Sequence, residues 1–260
     1  MQITAIHTPL IEIGDDLLSV LLSALDEPLQ SGDVITVVSK VVALEQGRLV
    51  DLATVTPSLA ALTLSPDYPV LAELLLHEAD AILGGVAGIP FFLTLKGGLL
   101  TPNAGIDQSN APAGKAILWP QDPWRWARIF WDRLRAHFGL ADLGVVITDS
   151  HLTPLRRGVT GIALAWAGFE GIESKIGASD LYGRPLTVTE KAVADDLASA
   201  TVLLTGEADE RLPFARVRGA PIHFTERIID PREVAIDPAL DLYASTFNET
   251  IKTRLQTQER

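Results

Sequence analysis

Cysteine is absent from the 260 residues, and methionine occurs once. No disulfide can form, no thiolate can serve as nucleophile or metal ligand, and a reducing interior is the expected setting. Aromatic residues are only 6 % of the chain. Basic residues are scarce as well: 21 Lys and Arg against 33 Asp and Glu leave a net charge of −12. That balance disfavours a general nucleic-acid surface and an anionic membrane. An anionic substrate then needs a local basic pocket or a bound cation. No apolar run reaches membrane-spanning length. The first residues lack the basic stretch and apolar core of a signal peptide, so a cytoplasmic location is expected. Also missing are the Gly-x-x-x-x-Gly-Lys-Ser/Thr phosphate loop, the dinucleotide fingerprint and the Gly-x-Ser-x-Gly nucleophile elbow.

What is present is apolar for a chain of this kind, with 47 % hydrophobic residues and a mean hydropathy of +0.24. The length allows one large domain or two small ones. Part of the apolar surplus is expected between subunits, most simply in a two-fold homodimer. Strands are expected over residues 2–6, 34–38, 90–95, 116–119, 145–147, 162–166 and 214–219, from β-branched or apolar runs bounded by turn residues. Helices are expected over residues 15–25, 70–83, 124–138, 187–204 and 240–255. Asp15 and Asp16 suit the first turn of one helix, Asp122-Pro123 opens another, and Thr187 with Glu190 reads as a capping box. The 124–138 helix interleaves Trp124, Trp126, Phe130 and Trp131 with arginines; in so acidic a protein its aromatics are read as packing rather than as a nucleic-acid face. His77 and Asp80, three apart, are read as surface polarity before any metal site.

Chemistry concentrates in three oxygen-rich turns: Asp107 with Asn110, Asp149 with Ser150, and the loop holding Glu207. The stretch from 145 to 161 stands out. An apolar strand delivers Thr148-Asp149-Ser150 to a turn, and Arg156-Arg157-Gly158 follows. Carboxylates and hydroxyls hold hard cations such as magnesium or manganese, and arginines suit phosphate or carboxylate groups. A polar hairpin with solvated arginines is the competing reading. Asp149-Ser150-His151 has the residue types of a nucleophilic triad, but consecutive side chains of an extended chain point to opposite faces, which excludes one.

Asn103-Ala104-Gly105-Ile106-Asp107-Gln108-Ser109-Asn110, Val146-Ile147-Thr148-Asp149-Ser150, Arg156-Arg157-Gly158, Asp180-Leu181-Tyr182-Gly183-Arg184 and Val193-Ala194-Asp195 occur in that order. Together they resemble the coenzyme F420-0:gamma-glutamyl ligase family over roughly residues 2–220. The resemblance implies an α+β fold of mixed and antiparallel sheets with packed helices, assembled as an intertwined homodimer. Residues 1–220 would form the ligase-like domain, divisible into two intertwined subdomains, and 221–260 a C-terminal extension with a helix. It implies a divalent metal (Mn2+ or Mg2+) and GTP, or else ATP, used to turn an acceptor carboxylate into an acyl phosphate that the L-glutamate amine attacks. Asp107 and Asp149 would bind one metal, and Ser150 and Glu207 a second. Thr8, Pro9, Leu10, Ile11, Ser39 and Asn110 would contact nucleotide; by their charge, rather than by the family pattern, Arg156 and Arg157 are expected to face phosphate or the anionic acceptor beside the catalytic Asp149. The acceptor would be the F420 precursor or another carboxylate such as a folate.

The sequence departs from that pattern. Leu44 stands where the family carries a nucleotide-facing lysine, and Lys40 is the nearest replacement. His151-Leu152-Thr153-Pro154 replaces a Phe-Gly-Arg-Pro turn, and Gly206-Glu207-Ala208-Asp209-Glu210-Arg211 replaces a glycine-rich loop. A non-catalytic ligand-binding paralogue and a metal-dependent phosphohydrolase are therefore the alternative expectations.

Overall fold

The computed structural model describes residues 1–86, 88–237 and 239–243. The helix expected over 240–255 lies, from residue 244 on, outside the described residues. In chain order the elements are β1 (Gln2–Ile6), α1 (Leu17–Ala24), β2 (Asp33–Val38), α2 (Ser39–Glu45), β3 (Leu49–Asp51), α3 (Leu59–Leu64), α4 (Pro69–Glu78), β4 (Ala81–Gly85), β5 (Phe92–Lys96), β6 (Leu99–Pro102), β7 (Lys115–Ile117), α5 (Pro123–Phe138), β8 (Leu143–Leu152), β9 (Val159–Ala167), β10 (Ile172–Ser174), β11 (Glu190–Ala192), α6 (Val193–Thr205) and β12 (Phe214–Arg218). The fold is α+β with mixed sheets, as the resemblance implied. Among the described residues no helix is long and apolar enough to cross a membrane. Two compact units emerge: Met1–Glu45 with Gln121–Ile229, and Gln46–Pro120 with the described residues from Asp230 onward.

The first unit is built on a five-stranded sheet in the order β1-β12-β2-β8-β9. β2 and β8 pair in parallel, while β1–β12, β12–β2 and β8–β9 pair antiparallel. β1, β2 and β8 therefore run the same way and end at the same edge. Their registers align Ile6 with Phe214, Phe214 with Val37, and Val37 with Ile147. Val34, Ile35, Val37, Val145, Val146 and Ile147 are fully buried, which explains their unbroken apolar runs. α5 and α6 each pack on β8 and β9. Asp122 caps α5 by accepting the Arg125 N–H at 3.1 Å, and Phe130, Trp131 and Leu134 are buried. Arg128 and Arg135 lie over the Trp131 ring at 4.4 and 4.5 Å, so the interleaved arginines serve packing. Glu45 links three helices: one carboxylate oxygen accepts the Leu17 N–H at 2.8 Å, the other the Trp126 indole N–H at 2.5 Å.

In the second unit β4-β5-β6 form a three-stranded antiparallel sheet and β3 pairs with β7. Leu71, Leu74, Leu75, Phe92, Ala104 and Ile106 share its core.

Several boundaries differ from expectation, each for a tertiary reason. α4 stops at Glu78, and residues 81–85 form β4 instead of continuing the helix. Gly85 suits that strand because a Cβ there would meet the Phe92 ring at 3.0 Å. Asp16 sits outside α1 as its cap, accepting from the Ser19 N–H and hydroxyl, so no acid occupies the first turn. Glu190 opens no helix: it starts β11, which pairs with β10. There the Glu173 carboxylate holds both Lys175 and Lys191, so strand pairing overrides the capping signal. Finally, Asp149 and Ser150 do not lie in a turn; β8 continues through them to Leu152.

Candidate active site

The residues just after Ile6, Val37 and Ile147, and those just before Phe214, lie at one edge of the sheet. Thr8 is two residues beyond β1's Ile6, Ser39 two beyond Val37, and Asp149 two beyond Ile147. The loop 206–211 enters the same edge just before Phe214. Carboxyl ends of parallel strands are where open α/β sheets place ligand sites, because the chains diverge there and leave backbone groups for the ligand. Thr8 and Ile11 are buried, whereas Pro9 and Leu10 are exposed. The Thr8 N–H donates to the Arg211 carbonyl at 3.1 Å, so this segment and the Glu207 loop are held together. Ser39 is buried and Lys40 half-buried at the start of α2.

Ser150 Oγ donates to Glu207 Oε1 at 2.6 Å. This bond unites two residues 57 apart in sequence, from the end of β8 and the loop after α6. The Asp149 carboxylate accepts the Ser150 N–H at 2.8 Å. Because β8 is extended here, Asp149 and Ser150 project to opposite faces, and so does His151 relative to Ser150. The triad is excluded on geometry as on sequence. Burial pushes the His151 imidazole below its usual range, with the Asp195 charge opposing. Burial likewise pushes the Asp195 carboxyl up, against its bond from the Ala163 N–H.

The loop that lost its glycines is organised by another device. Glu210 turns its carboxylate back to accept the Ala208 N–H at 2.7 Å. Its own backbone N–H and that of Ala208 hold the carboxyl below the usual range. Gly206 beneath it adopts φ 76° and ψ −177°, a conformation essentially reserved for glycine.

β8 and β9 pair as far as Leu152 and Val159, so Arg156 and Arg157 occupy the exposed tip of their hairpin. That tip lies on the order of 10 Å along the strand from Asp149. The structure does not set these arginines beside Asp149.

In the second unit, Asp107 follows three consecutive residues with positive φ: Asn103 (51°), Ala104 (50°) and Gly105 (71°). Left-handed geometry is costly for alanine, and three contacts hold it. Asn103 Oδ1 accepts the Phe92 N–H at 2.9 Å, its Nδ2 donates to the Pro90 carbonyl at 3.0 Å, and the Ala104 N–H donates to Thr94 Oγ1 at 2.7 Å. Only glycine fits at 105, where a Cβ would lie 2.2 Å from the Trp119 ring. Asp107 pairs with Ile117 through two backbone bonds of 2.9 and 2.8 Å. Its carboxylate accepts the Ser109 N–H at 2.7 Å and hydroxyl at 2.9 Å. Asn110 is exposed with φ 55°. His77 instead bonds Glu73, one helical turn away, at 3.0 Å, and Asp80 accepts the Gly97 N–H at 2.6 Å. Both are structural.

Asp149, Ser150, Glu207 and Asp107 offer only oxygen, the donor chemistry of magnesium and manganese. Among the described residues no three His, Cys, Asp or Glu side chains form a metal-holding group. Sequence reading assigned no role to Asp195 or Gly161. The Val193-Ala194-Asp195 run was the available signal for the first, and a glycine inside a β-branched strand for the second.

The sequence model of a family described as F420-0:gamma-glutamyl ligase matches residues 5–219. Coenzyme F420:L-glutamate ligase of Methanopyrus kandleri is 38 % identical over 237 residues, covering 88 % of this chain and 92 % of that protein. The protein of the same name from Methanothermobacter thermautotrophicus is 36 % identical, covering 82 % and 86 %. That from Methanocaldococcus jannaschii is 32 % identical, covering 86 % and 90 %.

Proposed function

This chain belongs to the F420-0:gamma-glutamyl ligase family, and we propose that it is an amide-forming ligase that joins L-glutamate to an anionic acceptor carboxylate. The acceptor is coenzyme F420-0, with a reduced folate as the second candidate. The reaction consumes a nucleoside triphosphate, GTP or ATP. An acceptor carboxylate oxygen bonds to the γ-phosphorus as the bond to the nucleoside diphosphate breaks. The glutamate amine, having lost a proton, then bonds to the acyl carbon as phosphate leaves.

The observation that carries this reading is the Ser150–Glu207 contact of 2.6 Å beside Asp149, at the edge where Thr8 and Ser39 also emerge. In the first unit Asp149 would hold one divalent metal, and Ser150 with Glu207 a second. When bound, that metal neutralises phosphate charge as it develops. In the first unit Thr8 to Ile11, Ser39 and Lys40 would contact the nucleotide. Lys40 supplies the cation that Leu44 no longer does. Arg156 and Arg157, on an exposed tip, suit the anionic acceptor or a phosphate arriving from solvent.

We read the enzyme as a homodimer. In the first unit Leu155, Leu181, Tyr182 and Val188 are more than 80 % exposed, although the Arg184 guanidinium lies over the Tyr182 ring.

The test is a mass-spectrometric assay with glutamate, GTP or ATP, and manganese or magnesium, with F420-0 and reduced folate in separate tubes. A glutamyl mass increment with matching phosphate release is expected on one acceptor. Phosphate release without any amide product would identify a phosphohydrolase. No turnover beside a working control ligase would identify a binding paralogue.

A further inference from the structure

Helix α6 touches β9 where β9 lies opposite the candidate ligands. The ladder between β8 and β9 shifts by one residue between Ile147 and Thr148: Ile147 faces Ala165, but Thr148 faces Ala163, leaving Leu164 as an extra residue in β9. Beyond this bulge Asp149 faces Ile162 and Ser150 faces Gly161. A bulge twists its strand and re-aims the side chains that follow, and here those are Asp149 and Ser150. Because β9 is the edge of the sheet, no further strand fixes the shift.

α6 does so instead. Asp195 Oδ1 accepts the N–H of buried Ala163 at 2.9 Å. One turn later Ser199 Oγ donates to the Gly161 carbonyl at 2.7 Å. Between them the Ala198 backbone presses on Gly161, where a Cβ would fall 2.4 Å from the Ala198 carbonyl oxygen. Residues 195, 198 and 199 share one helix face. They hold Ala163 and Gly161, the first and last of the three β9 residues that pair with Thr148, Asp149 and Ser150. The same helix ends in the loop whose Glu207 receives the Ser150 hydroxyl.

We propose that Asp195 is a positioning residue: its carboxylate fixes the β9 bulge and thereby the placement of Asp149 and Ser150 at the end of β8. The proposal rests on the ligase reading for its catalytic consequence and on the hydrogen bond to Ala163 for its structural one. Loss of the carboxylate leaves a buried N–H without its acceptor. The register can then relax, and the two site residues shift with it. Asparagine retains a carbonyl oxygen at the same position.

Three full-length variants test this: Asp195→Ala, Asp195→Asn and Val193→Ala. The last shortens a buried side chain of the same helix and controls for lost stability. All are compared with the parent at a temperature where each is folded. With Asp195→Ala, kcat is expected to fall roughly 10–100-fold, as for residues that orient metal ligands, with nucleotide KM little changed. Asp195→Asn restores most of that loss, and Val193→Ala keeps parental kcat despite a lower melting temperature. Hydrogen exchange gives a readout independent of turnover. Amides of residues 148–150 and 161–163 exchange faster by roughly tenfold or more in Asp195→Ala and stay near parental in Asp195→Asn. Unchanged exchange at 148–150 in Asp195→Ala overturns the proposal, and so does an Asparagine variant as slow as the alanine one. Should the parent join no glutamate to any acceptor, the ligase reading fails, while the exchange comparison still decides the role of Asp195.

Discussion

At the amino end of β2, Asp33 is fully buried and gripped by the Arg218 guanidinium through bonds of 2.7 and 2.8 Å. Glu27 adds a 2.7 Å contact to Arg218 and lies 3.0 Å from Arg216 Nη1, the latter an ion pair without hydrogen-bond alignment. Asp33, then Glu27, hold the Arg218 guanidinium above its ordinary range. At the carboxyl end of β8 in the same sheet, Asp149 is followed by Ser150, whose hydroxyl goes to another acid, Glu207, rather than to an arginine. One end matches acid to base inside the protein. The other gathers acidic and hydroxyl oxygens, an arrangement whose natural complement is a cation from solution. On the proposed function the same residue type would serve cohesion at one end and ligand binding at the other, and the difference lies in what the neighbouring strands deliver.

The largest effects should separate those ends. Asp149→Asn is expected to lower glutamyl transfer on the order of a thousand-fold, the scale of a preorganised electrostatic group, with an unchanged melting curve. Arg218→Met is expected to do the reverse. It strands a buried carboxylate, so the melting temperature should fall by roughly 10 °C while turnover below the transition stays parental. Loss of turnover in Arg218→Met at full folding would show that the ends are coupled. Gly161→Ala comes next: the clash with Ala198 should cost about 1–3 kcal/mol, measured by urea denaturation, and should slow transfer through the displaced edge strand. Ser150→Ala removes one hydroxyl, at about 0.5–1.5 kcal/mol of stability, and its manganese affinity, measured by calorimetry, should fall. The smallest effect belongs to neither end. Lys175, then Lys191, hold the half-buried Glu173 carboxyl down to about 2 from 4.5. Because the folded-state value is depressed, this contact stabilises fully above pH 4.5 and is lost as pH falls towards 2. Glu173→Gln should flatten acid unfolding slightly in that window, without altering turnover.

Much of the first unit was legible because its signals are local. Fully apolar β-branched runs announced β2 and β8, and Asp122-Pro123 announced α5, since capping chemistry and burial act over a few residues. The 79–83 and 187–192 segments misled for the opposite reason. Their conformations are set by partners β5 and β10, which periodicity within the segment does not contain. The site was legible as a set of residue types, and Ser150 with Glu207 is a pairing the structure brings within hydrogen-bond distance. Arg156 and Arg157 looked adjacent to Asp149 because a turn was expected there; the extra length of β8 carries them away. Asp195 sat in a recognisable motif, but the helix expected over 187–204 placed it mid-helix, and its Ala163 partner lies 32 residues away in sequence.

By itself the sequence determined the α+β composition of elements, the absence of thiol chemistry, the oxygen-donor character of the site and, through ordered motifs, the family. Those properties depend on residue identity and short-range geometry. Only the tertiary structure decided that Thr8, Ser39, Asp149 and the Glu207 loop share one sheet edge, that Glu210 replaces glycines in shaping that loop, and that α6 grips β9 at its bulge. Each of these depends on strand order and register, which are fixed by burial and hydrogen bonding between segments far apart in the chain.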